Sequence, residues 1–354
     1  MKFTVSAGVL RDALARARQI IPTTPSMVAY SGVFLQAGSE TLDVTASDGD
    51  STITVNIPAS VEEAGHVLLT PKPIASFIAS VDASSALLIE TSGGDIKVSG
   101  AGLNPYVFRP LSATFPVPSA PATGVRPERI GDLLTALQAV RSASGRDTSV
   151  VQVVSDDRQL VLHTTDGFRL ARAVLPDAGF GVFTGILSLP VLERVARFGP
   201  EEVTVDVKGR QLSFRGAGVL VSSRMMGTPF PPVESVLNSA PPQVTSFDPR
   251  DMVRALARIS SVAEQGTLLL EFEGTSLHLR AAAAEVGEGQ ETITLNTPVP
   301  AAFSLQLRAP YLADAVSSLG EEPVGVAYSG VLQPLFLSTT SPFSITHVVM
   351  PVRG

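Results

Sequence analysis

The sequence predicts an α+β fold of three repeated domains, each with two helices packed on one face of an antiparallel sheet. Three observations carry that prediction: a self-similar period of about 120 residues, strand patterning that alternates with a period of two, and two proline-rich joints. Each repeat opens with an amphipathic helix, in VLRDALARARQI, IGDLLTALQAVR and DMVRALARISSV, with Leu14, Leu134 and Leu256 at matching places. A hairpin follows, ETLDVTASDGDSTITV, then RQLVLHTTDGFRLARAV, then the longer-turned TSLHLRAAAAEVGEGQETITL. Next a strand runs into a short helix opened by Pro71, Pro190 or Pro310, a position where the missing N–H of proline costs nothing. A second hairpin and a last strand close each copy, with Gly, Asp and Ser at the turns.

The helices are expected at 7–20, 71–82, 127–142, 188–198, 248–264 and 309–319. Nine of the 27 prolines fall in 116–127 and 227–243. Proline-rich chain favours polyproline II, so both segments read as stiff, extended connectors. They bound the domains at 1–117, 124–236 and 243–354. Open sheet edges must be paired or protected, so three similar domains in a row point to edge-to-edge continuation of the sheets, along the chain and then between chains.

Composition excludes several classes. Apolar residues are 44% and charged residues 17% of 354, a globular balance. No stretch approaches the roughly 18 apolar residues of a membrane span, so no membrane partner is expected. The N-terminus MKFTVSAGVLRDALARARQII interleaves arginines with its apolar residues and has no secretory h-region, which reads as a cytoplasmic protein. With no cysteine there are no disulfides or thiolate metal sites, as suits a reducing compartment.

The chain carries no legible catalytic chemistry and implies no cofactor. His66, His163, His278 and His347 have no metal-ligand spacing. Asp48 and Asp50 resemble the start of a calcium loop, but Ala59 stands where a bidentate Glu is required. The glycine pairs of SGAGLN and RGAGVL are turns, and neither a nucleophile elbow nor a Walker motif occurs.

Charge is distributed by element. The net charge is −7, yet the six helical segments hold 11 basic residues against nine acids. Arg250, Arg254 and Arg258 recur every fourth residue, and Arg11 and Arg18 stand two turns apart. Each set is expected opposite an apolar stripe: Met252, Val253, Leu256 and Ile259, and Leu10, Leu14, Ala17 and Ile21. One such stripe reads as a solvated face; its recurrence on equivalent helices reads as a surface for a phosphate backbone.

The opening MKFTV, TTDGFRLA at 164–171, FP at 230–231 leading to VL at 236–237, and VVMPVR at 348–353 together resemble the bacterial beta sliding clamps over essentially the whole chain. Phe168 in place of a common His, and MPVR in place of MPMR, look like the actinobacterial branch. The resemblance implies a DNA clamp fold, with two chains closed head to tail into a six-domain ring around duplex DNA held without regard to base sequence. It implies a non-catalytic processivity factor of a DNA polymerase holoenzyme.

By the same resemblance a pocket for linear peptide motifs of polymerase and clamp loader maps to Thr165, Gly167, Phe168, Arg169, Leu170, Pro231, Val236, Pro334, Val348, Met350, Pro351, Val352 and Arg353. A peptide antibiotic is a further candidate occupant. Tyr106 and Phe108 would face Ile259 and Val262 in the dimer; the alternative is that Tyr106 and Phe108 are core. DNA-facing candidates are Arg11, Arg18, Lys72, Arg141, Arg194, Arg197, Arg250, Arg254 and Arg258. Two departures stand out: Thr24 precedes Pro25 where clamps commonly carry Arg, and Glu234 and Ser235 replace basic residues after FP. They leave open a clamp paralogue with a non-replicative or antibiotic self-resistance role, and, outside the family, an enzyme on a repeated α+β scaffold.

Overall fold

The computed structural model describes every residue except 101, 117–125, 129–131, 146–148, 157, 177, 179–180, 198–202, 217, 264–265 and 353–354. In chain order the first elements are β1 (Lys2–Ser6), α1 (Ala7–Ala17), β2 (Val33–Ala37), β3 (Thr41–Ser47), β4 (Ser51–Pro58), β5 (Ser60–Glu63), β6 (Gly65–Leu69), α2 (Pro71–Ala79), β7 (Ala86–Ser92), β8 (Asp95–Gly100), β9 (Leu103–Phe108) and β10 (Arg126–Glu128). The middle of the chain forms α3 (Leu133–Arg141), β11 (Val150–Ser155), β12 (Gln159–Thr165), β13 (Arg169–Pro176), β14 (Phe183–Ser188), α4 (Leu189–Ala196), β15 (Val203–Lys208), β16 (Gln211–Gly216), β17 (Val219–Arg224) and the single turn α5 (Glu234–Leu237). The last part forms β18 (Thr245–Phe247), α6 (Pro249–Ile259), β19 (Thr267–Glu273), β20 (Ser276–Ala283), β21 (Gly287–Thr294), β22 (Phe303–Arg308), α7 (Ala309–Ser317), β23 (Val324–Ala327), β24 (Leu335–Thr339) and β25 (Ser344–Val349).

Two compact units result, Met1–Arg129 with Phe198–Met225, and Ile130–Arg197 with Met226–Gly354. The first holds a five-stranded sheet, β5-β1-β7-β8-β9, and an eight-stranded one, β10-β15-β16-β17-β4-β3-β2-β6. The second holds an eight-stranded sheet, β14-β11-β12-β13-β25-β24-β23-β18, and a four-stranded one, β21-β20-β19-β22. The expected continuation along the chain is therefore present twice. At one junction β17 pairs β4 from Val219↔Val55 to Ser223↔Ser51, and the Ser51 and Ser223 hydroxyls meet at 3.1 Å. At the other β13 pairs β25 from Arg169↔Val349 to Val174↔Ser344. The units do not follow the repeat boundaries, because each sheet of the central repeat shares a backbone hydrogen-bond ladder with a flanking repeat.

The helices cover the sheets with small and branched apolar residues. In α1 the buried set is Ala7, Leu10, Ala13, Leu14 and Ala17. In α6 it is Pro249, Met252, Ala255, Leu256 and Ile259. Proline occupies the first turn of α2, α4, α6 and α7. The Asp248 side chain caps α6 by accepting the Arg250 N–H at 2.8 Å, the usual role of an N-cap carboxylate.

Several expected bounds are corrected. The third helix does not start at 127: residues 126–128 are strand β10, antiparallel to β15, and residues 129–131 lie outside the described set. The helices that open the first and third repeats, α1 and α6, end in 3₁₀ turns, Arg18–Ile20 and Ser260–Val262. Val253 belongs to the exposed side of α6, at 40% exposure. Ile20 is the buried residue where Ile21 was expected, and Ile21 is half-buried. Segment 227–243 is not simply an extended connector, because α5 forms inside it and Val233 is buried; Val233, Val236 and Leu237 reach one buried apolar cluster by turning. Most of the other connector, 117–125, lies outside the described residues. No helix among the described residues is long and apolar enough to cross a membrane.

Candidate peptide pocket and basic helix faces

The TTDG turn explains how Arg169 is aimed. Gly167 sits at φ +87°, a conformation that L side chains adopt at a cost. The Asp166 Oδ1 accepts the N–H groups of Phe168 and Arg169, both at 3.0 Å. The Thr165 hydroxyl donates to the Arg169 carbonyl at 2.7 Å and accepts the Gly167 N–H at 3.1 Å. From this turn the Arg169 guanidinium reaches the second Asp166 oxygen at 2.9 Å and Asp314 on α7 at 2.6 Å, and lies over the Tyr311 ring, 4.4 Å from its centroid. Burial works against the guanidinium charge, but the bonds to Asp314 and Asp166 outweigh it and hold the pKa above its ordinary value.

Beside the turn, an apolar row crosses four strands. Leu170 pairs Val348, Val348 pairs Phe336, and Phe336 pairs Ala327. With Val233 they form one buried cluster, against which Phe230, Val236 and Leu237 pack. The register also brings the 328–334 loop, the start of β13 and the end of β25 to one end of this sheet, since Leu335 and Arg169 both pair Val349. That end exposes large apolar groups: Phe168 at 63%, Leu332 at 61%, Val331 at 57% and Met350 at 39%. Met350 is held to the turn by its N–H on the Phe168 carbonyl at 2.9 Å, and the Val352 N–H bonds the Gln306 carbonyl at 2.8 Å. Pro334, Pro351 and Val352 are half-buried, and Pro231 is exposed.

The structure thus brings Thr165, Gly167, Phe168, Arg169, Leu170, Val348 and Met350 to one end of this sheet, with Val236 packed on the buried cluster and Pro334 on the adjoining loop. Arg353 lies outside the described residues. Sequence reasoning missed Tyr311, Asp314, Val233, Ala327 and Phe336. Only the PYLAD string and the alternation of β23 and β24 hinted at them, and neither says which sheet end they reach.

Each histidine has an ordinary structural role. His66 packs on Phe34, and His278 meets Thr292 at 3.0 Å. His163 pairs with Gln152 at 3.1 Å; burial, then the charge of Arg172, lowers its pKa to about 4. His347 meets the Ser318 hydroxyl at 2.8 Å; burial, then Arg169, lowers it to about 4 as well. Asp48 caps its own hairpin turn, accepting the N–H groups of Asp50 and Ser51.

Most of the basic candidates lie at the surface, yet several are already engaged. Arg250 bonds Asp248 at 3.3 Å, Arg254 bonds Asp251 at 2.6 Å, and Arg258 forks onto Glu291 at 2.7 and 2.6 Å. Arg141 bonds Glu193 at 2.6 Å and Arg11 lies 3.7 Å from Asp12. Arg18, Lys72 and Arg197 are exposed, and Arg194 is half-buried.

At the sheet edges, among the described residues, β9 pairs only β8, and β21 pairs only β20. Tyr106 is 49% exposed and Val107 60%, so Tyr106 is not core; its ring and that of Phe108 pack on Phe77 of α2 at 4.5 and 5.7 Å. Ile259, in contrast, is 2% exposed: it serves the core of its own repeat. Half-buried Val262 leans over Gly289 of β21, where a Cβ would come within 2.9 Å of its Cγ2.

This architecture is the one found in bacterial DNA sliding clamps. A DNA polymerase III beta subunit from Pseudomonas aeruginosa superposes with a TM-score of 0.91 at 18% identity, covering all of both chains. A sliding clamp from Caulobacter crescentus gives 0.90 at 19%, again over both whole chains. One from Pseudomonas aeruginosa solved bound to griselimycin gives 0.89 at 17% over both whole chains. Residues 1–115 match the family model described as DNA polymerase III beta subunit, N-terminal domain, and 235–353 the one described as its C-terminal domain. The chain belongs to the DNA polymerase III beta subunit family, the beta sliding clamps. The beta sliding clamp of Synechococcus elongatus is 25% identical over 378 residues, covering 100% of this chain and 99% of the relative. That of Streptomyces coelicolor is 24% identical over 385 residues with the same coverage, so identity does not single out the actinobacterial branch.

Proposed function

We propose that two copies close head to tail into a ring that encircles duplex DNA, binds it without reading bases, and tethers polymerase and loader peptides without catalysing a reaction. Among the described residues β9, at one end of the five-stranded sheet, and β21, at one end of the four-stranded one, are edge strands, each paired on one side. The junctions β17–β4 and β13–β25 already show how such edges join here, and a β9–β21 pairing between copies repeats that geometry. That observation carries the reading of three domains, 1–117, 124–236 and 243–354, completed to six by a second chain. Tyr106, Val107 and Phe108 would supply aromatic and apolar anchors, facing Val262 and β21 of the other copy.

The recess around Leu170, Phe336, Val348 and Met350 is the proposed peptide site. Its buried floor and adaptable Met350 suit short apolar side chains of several partners. That a Pseudomonas aeruginosa clamp of this fold was solved bound to griselimycin supports a ligand-binding site on the fold. Tethering raises the local concentration of polymerase by topology, in the cytoplasm where bacterial DNA is copied. Native mass spectrometry of the full chain tests the ring directly: a dimer is expected at micromolar concentration, and monomer alone overturns it.

A further inference from the structure

The arginine stripe of α6 is neutralised residue by residue. Arg250, Arg254 and Arg258 point out of the helix at 66%, 68% and 60% side-chain exposure, and each has a carboxylate of its own: Asp248, Asp251 and Glu291. Two acids come from the N-cap and the first turn of α6, and the third comes from the edge strand β21. Asp248 is also the N-cap, and the Arg250 N–H, ahead of its side chain, holds that carboxyl below the usual carboxylate range. The fork from Arg258 does the same to Glu291. Both of these carboxyls are therefore charged at neutral pH.

A phosphate approaching this stripe meets cations that already carry anions. Carboxylate and phosphate compete for the same guanidinium fork. Arg258 spends two of its five N–H donors on Glu291, and a phosphate that takes the others stands close to a carboxylate. The N-terminus of α6, where the helix dipole would attract an anion, is occupied by Asp248 and Asp251. Space is not the limit, since a groove of about 450 Å³ lined by Arg250, Val253, Arg254, Val316 and Ser317 runs alongside.

We propose that Asp248, Asp251 and Glu291 are positioning residues that share the α6 arginines with the DNA backbone and so limit how strongly this helix holds phosphate. The consequence is mobility: each contact is an exchange between two anions of similar geometry, with little counterion release. The proposal rests on the reading of α6 as DNA-facing. It predicts that isosteric removal of the three negative charges tightens binding.

The experiment uses fluorescence anisotropy of the full-length protein with a labelled duplex across a salt series. Three triple variants are compared with the parent: D248N/D251N/E291Q, R250A/R254A/R258A, and a charge-matched control at exposed positions, E40Q/D95N/E285Q. Asn keeps the cap at position 248, so the first variant retains its fold. Expected for it is a roughly tenfold to hundredfold gain in affinity at low salt and a slope steeper by up to about three units, one per freed contact. The control is expected to gain much less. If the arginine triple weakens binding while the acid triple matches the parent, the inference is overturned and the DNA-facing reading stands. An acid triple no better than the control also overturns it, leaving only net charge. If neither α6 triple alters the slope, the DNA-facing reading falls, and the inference falls with it.

Discussion

Deleting residues 350–354 should separate folding from the proposed peptide binding. The ladder between β25 and its neighbours ends at Val349, so the floor formed by Leu170, Val233, Ala327, Phe336 and Val348 survives the cut. What is lost is the Met350 side chain, 39% exposed, and the bonds of Met350 to Phe168 and Val352 to Gln306. Two backbone hydrogen bonds near the surface contribute about 1 kcal/mol each. The covered part of Met350 contributes about 1–1.5 kcal/mol, from about 1.5–3 kcal/mol for full burial. The fold should therefore lose about 3 kcal/mol and remain dimeric. A bound peptide, in contrast, loses one apolar wall and the fixed position of Phe168 opposite it. Burying the rest of Met350 and ordering Phe168 is worth about 1.5–3 kcal/mol to a ligand, or roughly tenfold to a hundredfold in Kd. Fluorescence anisotropy with a labelled, polymerase-derived clamp peptide measures that loss, with native mass spectrometry as the control for the dimer. Unchanged affinity in a truncated protein that is still dimeric would refute the assignment of the recess.

Tyr106→Ala should weaken the dimer by about 30-fold or more, the loss of one aromatic anchor of about 2 kcal/mol, read as a rise in monomer by native mass spectrometry with unchanged circular dichroism. Arg169→Met leaves Asp166, at 14% side-chain exposure, without its guanidinium and should cost about 2–4 kcal/mol in urea unfolding and weaken the peptide; Lys at 169 should not restore either, since it cannot fork between two carboxylates or stack on Tyr311. His163 and His347 are held near pKa 4 in the fold against about 6.5 when unfolded. The unfolded chain therefore binds protons first as pH falls. Their stabilising effect is complete above about pH 6.5, drops by about 2 kcal/mol each by pH 5, and is lost in full, about 3 kcal/mol each, below pH 4. Denaturant titrations at pH 7 and pH 5 should show this loss, and His347→Gln should roughly halve it; equal stability at both pH values would contradict the buried, neutral histidines.

Local physics was legible in the amino-acid sequence. Alternation, proline at the first helical turn and turn glycines announced the strands, six of the helices and the three-fold repeat, because those signals act within a few residues. The strings TTDGFRLA and VVMPVR were legible as a candidate pocket only through the resemblance to the clamp family, not through local physics. Tertiary structure alone decided which sheet ends meet, since strand register is set by partners more than a hundred residues away, as at Leu170↔Val348. It also decided that Val233, Ala327 and Phe336 make the floor, and that apolar residues in a proline-rich segment fold back onto it instead of staying extended. Ile259 and Tyr106 both looked like interface residues; only packing separated them, burying one and leaving the other on an open edge. The arginines of α6 showed the same limit. Their spacing was visible in the sequence, but whether each is free or tied to a carboxylate depends on side-chain contacts, one of them from a strand 33 residues along the chain.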